Sequence, residues 1–221
     1  PNIWNCHSGI GEDLPVSVPP LLKNGHLTFG CFNNSSKISE NCINTWSKIL
    51  QQIQNCKLMI KAPTVDSEIA QKMILSKFKK NDIAPNRIIF EKSKIKREDH
   101  LKMYNAIDIS LDTFPYPGVT TSFESIWMGV PVLTKKGNNF ASRCGESINI
   151  NLEMNDFIAC DDEDYIARAV SLSKNKEKII QTRKVLRDKA SKSPLFDVKS
   201  FGQDFSELMV NLSERYSEKL K

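Results

Sequence analysis

The sequence predicts an α/β fold, a parallel sheet covered by helices, and three observations lead there. From Leu27 onward short β-prone runs alternate with longer stretches of helical period, the order in which parallel strands are joined by crossover helices. The chain of 221 residues is 40% hydrophobic and 26% charged, enough for a sizeable core and too apolar for general disorder. No run approaches the roughly 18 apolar residues that would span a bilayer, so a soluble, cytoplasmic protein with no membrane partner is expected.

The six strand candidates are residues 27–32, 57–61, 87–91, 107–112, 131–134 and 157–160. Residues 1–26, rich in Pro, Gly, Asn and Ser, read as a linker or the end of a preceding lobe, because Pro15, Pro19 and Pro20 forbid a long helix. Residues 27–221 read as one domain that includes the carboxy-terminal helices. After the first strand, Ile43, Trp46, Ile49, Leu50 and Ile53 recur at three- and four-residue steps and give a helix with one apolar face, capped by Ser39. The next helix, about 66–80, carries Ile69, Met73 and Ile74 on one side and lysines at its end, where they complement the dipole; Asn81 and Pro85 close it. A third, about 97–105, gives Leu101 and Tyr104 to the core, and a fourth runs from Thr120 to Gly129. Residues 162–192 hold two amphipathic segments parted around Lys174 and Asn175. The last helix, 197–219, with Phe201, Phe205, Leu208, Met209 and Leu212, is expected with them to cover the far side of the sheet.

Composition removes several function classes. The cysteines (Cys6, Cys31, Cys42, Cys56, Cys144, Cys160) stand singly, and His7, His26 and His100 never pair at helical spacing, so a zinc or other metal site is not expected. The start, Pro1-Asn2-Ile3-Trp4, lacks a signal-peptide pattern. The formal charge of +5 suits an anionic ligand, but the basic residues are dispersed and no aromatic-basic platform for nucleic acid is present.

In open parallel sheets ligands bind outside the carboxyl ends of the strands, and two of those loops stand out. The first reads Asn33-Asn34-Ser35-Ser36-Lys37. A lysine among small polar residues can bind phosphate, although Asn and Ser also make ordinary strand-to-helix turns. The second reads Thr113-Phe114-Pro115-Tyr116-Pro117-Gly118-Val119-Thr120-Thr121-Ser122-Phe123-Glu124. Two prolines stiffen it, Gly118 allows close passage, and the two threonines open a helix whose free amides favour an anion. Glu124, one turn inside, can accept from a sugar diol; equally, Thr120 can be a plain cap and Glu124 a plain dipole complement. Arg97 opposes the dipole of its helix, which suggests a charge retained for a ligand, while a lone His100 is by itself commonly structural.

The words F-N-N-S-S-K, P-N-R-I-I-F, R-E-D-H, D-T-F-P-Y-P-G-V-T-T-S-F-E-S-I-W-M-G-V-P-V-L-T and F-A-S-R-C-G-E-S, in this order and spacing, resemble the carboxy-terminal catalytic lobe of the O-linked N-acetylglucosamine transferase and SPINDLY family. The likeness runs from about Gly25 past the S-P-L-F-D segment at Ser193. It implies the Rossmann-like carboxy-terminal lobe of a two-lobed GT-B glycosyltransferase that binds a UDP-sugar or GDP-sugar, with UDP-N-acetylglucosamine the first expectation, for inverting transfer to Ser or Thr of a protein acceptor. It implies no cofactor and no metal. By resemblance Lys37 is the catalytic lysine that steadies the diphosphate, Asn34, Arg97, His100, Tyr116 and Gly118 lie around the nucleotide, Thr120 and Thr121 bind the phosphates, and Glu124 binds ribose. Val119 and Tyr116 stand where the animal enzymes have His and Cys, and Arg97 where they have Lys. The family's amino-terminal lobe, sometimes preceded by helical repeats, is the expected partner, and this lobe alone is expected to bind nucleotide without turning over. Another GT-B transferase, an epimerase and a non-catalytic interaction module are the competing readings.

Overall fold

A computed structural model describes residues 3–8, 14–93 and 95–219. After a short turn of helix, α1 (Leu21–Asn24), the chain alternates β1 (Leu27–Cys31), α2 (Glu40–Gln52), β2 (Cys56–Lys61), α3 (Glu68–Lys80), β3 (Ile88–Glu91), α4 (Arg97–Lys102) and β4 (Ile109–Leu111). It continues through α5 (Thr120–Trp127), β5 (Val132–Lys135), α6 (Cys144–Asn151), β6 (Ile158–Ala159), α7 (Asp162–Lys174), α8 (Lys176–Ser191) and α9 (Val198–Lys219). All strand pairs are parallel, in the order β3-β2-β1-β4-β5-β6. Each strand predicted from the apolar runs is present to within about two residues.

The strand order reverses direction between β1 and β4, which pair through Phe29↔Ile109 and Gly30↔Ser110. Such a switch point opens a crevice where the connections on either side diverge. The two loops singled out in the sequence leave β1 and β4 at this crevice.

Helix α2 buries Cys42, Ile43, Trp46, Ile49 and Leu50 against the sheet, and Ser39 caps it by accepting from the Cys42 amide. Leu101 and Tyr104 reach the core as expected. Helix α5 ends at Trp127 with Met128 as its cap, and Gly129 follows, whose φ of 74° suits glycine and whose absent Cβ leaves room for Val16 and the Arg183 backbone. The prediction for α3 needs correction. Phe78 is its fully buried residue, with Ile74 and Leu75 packed alongside, while Ile69 and Met73 are 73% and 61% exposed. The buried stripe keeps Ile74 but is turned away from Ile69 and Met73 by about a third of a turn.

Of the carboxy-terminal helices, α7 and α8 part at Asn175 as expected and α9 departs from expectation. Helix α7 packs beside α2 and β5, and α8 beside α5. Helix α9 anchors its start through Phe201, but Phe205, Leu208, Met209 and Leu212 are exposed, so it does not cover the sheet. Among the described residues none covers that stripe.

Residues 3–8 and 14–20 lie against the domain, and residues 1–2 and 9–13 of the predicted lead-in fall outside the described residues. Ile3 and Leu14 are buried, and Arg187 and Arg183 donate to the carbonyls of Leu14 and Ser17 at 2.7 and 2.8 Å. Arg183 also donates to the Ile107 carbonyl at 2.7 Å, tying this segment to the approach to β4. No described helix is long and apolar enough to cross a membrane.

Candidate functional site

The loop after β1 and the loop after β4 are joined by a hydrogen-bond cluster centred on Asn33 and Asp112. Asn33, buried, donates from Nδ2 to Asp112 Oδ1 and Thr113 Oγ1, both at 3.1 Å. Its carbonyl oxygen accepts from the Thr121 hydroxyl. One side chain therefore couples the end of β1 to the head of α5. Asp112 receives further donors from the Gly118 amide at 2.6 Å, the Thr113 amide at 2.9 Å and Thr134 Oγ1 at 2.8 Å. Burial pushes the Asp112 carboxyl up to about 6, although these donors oppose the rise.

Gly118 sits where a side chain would not fit. A Cβ there would lie 2.6 Å from Thr121 Oγ1, 2.7 Å from Asn33 Oδ1 and 2.8 Å from Ser122 Oγ. The sequence called for a close backbone approach at this residue, and the approach is to the head of α5.

Lys37 lies in a single turn of 3-10 helix, Ser35–Lys37, whose cap is Asn34. The Asn34 side chain is exposed and accepts from Ser36 N and Ser36 Oγ at 3.1 Å, so its oxygen is engaged in the turn itself. The lysine turns inward. Its Nζ donates to the Pro117 carbonyl at 3.0 Å and lies 4.3 Å from the Tyr116 ring centroid. Burial lowers its pKa, and Asp112 opposes that effect. Lys37 thus rests on the same loop that delivers the α5 amino-terminus.

At that terminus Val119 is the cap residue and provides no side-chain cap bond, so Thr120 is not the cap. Phe123 N bonds back to Val119 O, and among the described residues the amides of Thr120, Thr121 and Ser122 have no partner, as a helix start leaves them. Thr120 is exposed, so the start of α5 is open to a ligand. The lysine, on the Pro117 carbonyl, and the start of α5 at Thr120 thus share one short loop.

Glu124 is buried deeper on the same helix. His100 Nε2 approaches Glu124 Oε2 at 2.9 Å, Tyr104 donates to that oxygen at 3.2 Å, and Arg97 Nη1 stands 3.5 Å from Oε1. Burial raises the Glu124 pKa, but the hydrogen bonds from His100 and Tyr104 and the Arg97 charge outweigh it and hold the carboxyl below its usual range. The dipole-opposing charge of Arg97 therefore has a carboxylate to meet. His100 has a second contact the sequence did not suggest: Lys61 Nζ, at the end of β2, is 2.7 Å from Nδ1.

The predicted residues thus fall into two groups along one edge. Lys37, Tyr116, Gly118, Thr120 and Thr121 lie about the loop that leads into α5; Arg97, His100 and Glu124 form a hydrogen-bonded cluster one helical turn further on. Asn34 joins neither through its side chain. Asn33, Asp112 and Lys61 were missed: buried polar residues at strand ends are the available signal, and β1 is buried along its whole length, so alternation could not separate Asn33 from Asn34. An open cleft of ≈ 450 Å³, lined by Trp4, Phe140 and Arg143 among others, contains none of the predicted residues. Among the described residues, no three His, Cys, Asp or Glu side chains gather as metal ligands.

Residues 20–205 match the profile of glycosyl transferase family 41. The chain is 34% identical over 216 residues to the probable UDP-N-acetylglucosamine–peptide N-acetylglucosaminyltransferase SPINDLY of Eustoma exaltatum subsp. russellianum, covering 98% of this chain and 24% of that protein. It is 27% identical over 213 residues to the UDP-N-acetylglucosamine–peptide N-acetylglucosaminyltransferase of Caenorhabditis elegans, covering 93% of this chain and 18% of that one. The chain therefore spans about a quarter of the length of the curated relatives it matches, or less. Among solved structures, a mutant O-GlcNAc transferase of Thermobaculum terrenum superposes with a TM-score of 0.81 at 27% identity, over 91% of this chain and 39% of that one. Sucrose-phosphate synthase of Thermosynechococcus elongatus, at 12% identity and a TM-score of 0.63 over 94% of this chain and 52% of that one, shares the fold alone.

Proposed function

The chain belongs to glycosyl transferase family 41, and from that premise we propose that it is the donor-binding, carboxy-terminal lobe of a GT-B glycosyltransferase. The donor is UDP-N-acetylglucosamine, and the reaction is inverting transfer to a Ser or Thr hydroxyl of a protein. The relatives' names support the sugar and the peptide acceptor. The observation that carries the reading is that Lys37 Nζ and the free amides of α5 meet on one loop at the switch point of the sheet.

In the proposed reaction the acceptor oxygen attacks the anomeric carbon as its bond to the diphosphate oxygen breaks. Negative charge then grows on the diphosphate. Lys37 exchanges the Pro117 carbonyl for a phosphate oxygen, and the amides of Thr120 and Thr121 with the Thr120 hydroxyl take the rest of the charge, the Thr121 hydroxyl staying on Asn33. Donors fixed beforehand lose little by reorganising, which is why removing one typically costs about 2.7–4 kcal/mol of transition-state stabilisation. This positive charge does the work proposed for the site, without a divalent ion. Glu124 accepts from the ribose diol, and the His100 ring lines the base pocket with Phe32 and Tyr104 beneath it.

Acceptor contacts and the catalytic base are assigned to an amino-terminal lobe, since relatives are about four times as long. The six unpaired cysteines fit a reducing cytoplasm. Calorimetry with UDP, UDP-N-acetylglucosamine and GDP tests the proposal. Saturable binding of UDP and its sugar conjugate is expected. Tighter binding of GDP would replace the donor, and binding of none would reject the donor-lobe reading.

A further inference from the structure

Lys61 is the last residue of β2, 5% exposed, with its ammonium against the pocket that holds Glu124. A charged side chain buried at a strand end is costly unless it is partnered. Its partner at 2.7 Å is His100 Nδ1, and the Phe32 ring flanks it at 5.9 Å. With Lys61 as the ammonium, which has three donors and no acceptor, Nδ1 accepts and carries no proton. The ring proton of neutral His100 then lies on Nε2, where it donates to Glu124 Oε2 at 2.9 Å. Tyr104 donates to the same oxygen. With Oε2 filled from two sides, the carboxylate plane is fixed and Oε1 is left toward Arg97.

We propose that Lys61 is a positioning residue that acts through His100: it locks the imidazole as the neutral Nε2–H tautomer and so orients Glu124 to receive a ribose diol. The ribose half of this statement rests on the donor reading above; the tautomer half does not. Both ring nitrogens of His100 are engaged within the protein, so the ring meets a base by its face and edge. The charged and titratable groups around the ring are Lys61, Glu124, Arg97 and Tyr104, with Asp66 and Glu91 acting on Lys61 from further off. Burial lowers the Lys61 pKa, and Glu124, Asp66 and Glu91 oppose that.

The test is long-range 15N–1H correlation on the imidazoles of this chain at neutral pH, in wild type, Lys61→Met and Lys61→Arg. Only three histidines are present, and His100→Gln assigns the signal. Wild type is expected to show an unprotonated Nδ1 and a protonated Nε2. Lys61→Met should move Nδ1 toward the protonated shift, and Lys61→Arg, which keeps a cationic donor, should restore the wild-type pattern. A wild-type-like His100 in a folded Lys61→Met protein overturns the proposal, as does a proton on Nδ1 in wild type. Should Lys61→Met not fold, the wild-type and Lys61→Arg spectra still decide the tautomer. In parallel, UDP affinity should fall about tenfold in Lys61→Met while inorganic pyrophosphate, which lacks a ribose, binds as to wild type. Equal loss for both probes overturns the ribose half. If wild type binds no nucleotide, the donor reading fails while the spectra still judge the lock.

Discussion

Asp112 is the hinge of the site's hydrogen bonding, and its replacement by Asn gives a quantitative prediction. The buried carboxyl is raised from an ordinary 3.8 to about 6. A raised folded pKa means that the native state binds this proton more tightly than the unfolded chain. Its contribution to stability is full below the unfolded value and is lost as pH climbs through the folded one. The span corresponds to about 3 kcal/mol, lost between roughly pH 4 and pH 6. In Asp112→Asn the carbonyl oxygen can keep the three donors now on Oδ1, from Asn33, Thr113 and Gly118, while the amide donates to Thr134 Oγ1 in place of accepting from it. The variant should fold, without the titrating group. Urea unfolding of both proteins across this range should show wild type losing up to about 3 kcal/mol relative to the variant as pH rises. A difference that does not change with pH would refute the assignment of a buried, proton-binding carboxyl at this position.

Three further outcomes follow from the same geometry. Lys37→Ala in the full-length enzyme should lower kcat by at least about tenfold, the loss of one preorganised donor, measured as sugar transfer under saturating donor. Gly118→Ala would force its Cβ between Thr121 and Asn33, and calorimetry should show UDP affinity reduced about tenfold or more. Glu124→Gln sets an amide against the donors from His100 and Tyr104. UDP should bind about tenfold more weakly, with inorganic pyrophosphate unaffected.

How much of this was legible depended on the length scale of the signal. The strands were readable because runs such as Leu27-Thr28-Phe29-Gly30-Cys31 are short, apolar and bounded by polar turns. Helix α6 was not assigned: Cys-Gly-Glu-Ser-Ile-Asn-Ile-Asn has no apolar stripe, and the helix is held on several sides at once, with Gly145 and Glu146 buried beside Ile148. The exposed stripe of α9 misled because an amphipathic pattern tells which face is apolar and says nothing of what covers it. At the site, the lysine and the helix start announced themselves by residue type in the loops after strands. Lys61 did not. It reads as the polar end of a strand, and its partner His100 is 39 residues away, joined to it only once β2 pairs with β3, whose end leads into the helix that carries His100.

The most direct measurement is a crystal structure of this chain soaked with UDP. The account predicts a diphosphate within about 2.7–3.2 Å of both Lys37 Nζ and an amide of Thr120 or Thr121, with the lysine released from the Pro117 carbonyl and the ribose on Glu124. Nucleotide bound elsewhere, or phosphates that touch the helix while Lys37 stays on Pro117, would contradict it.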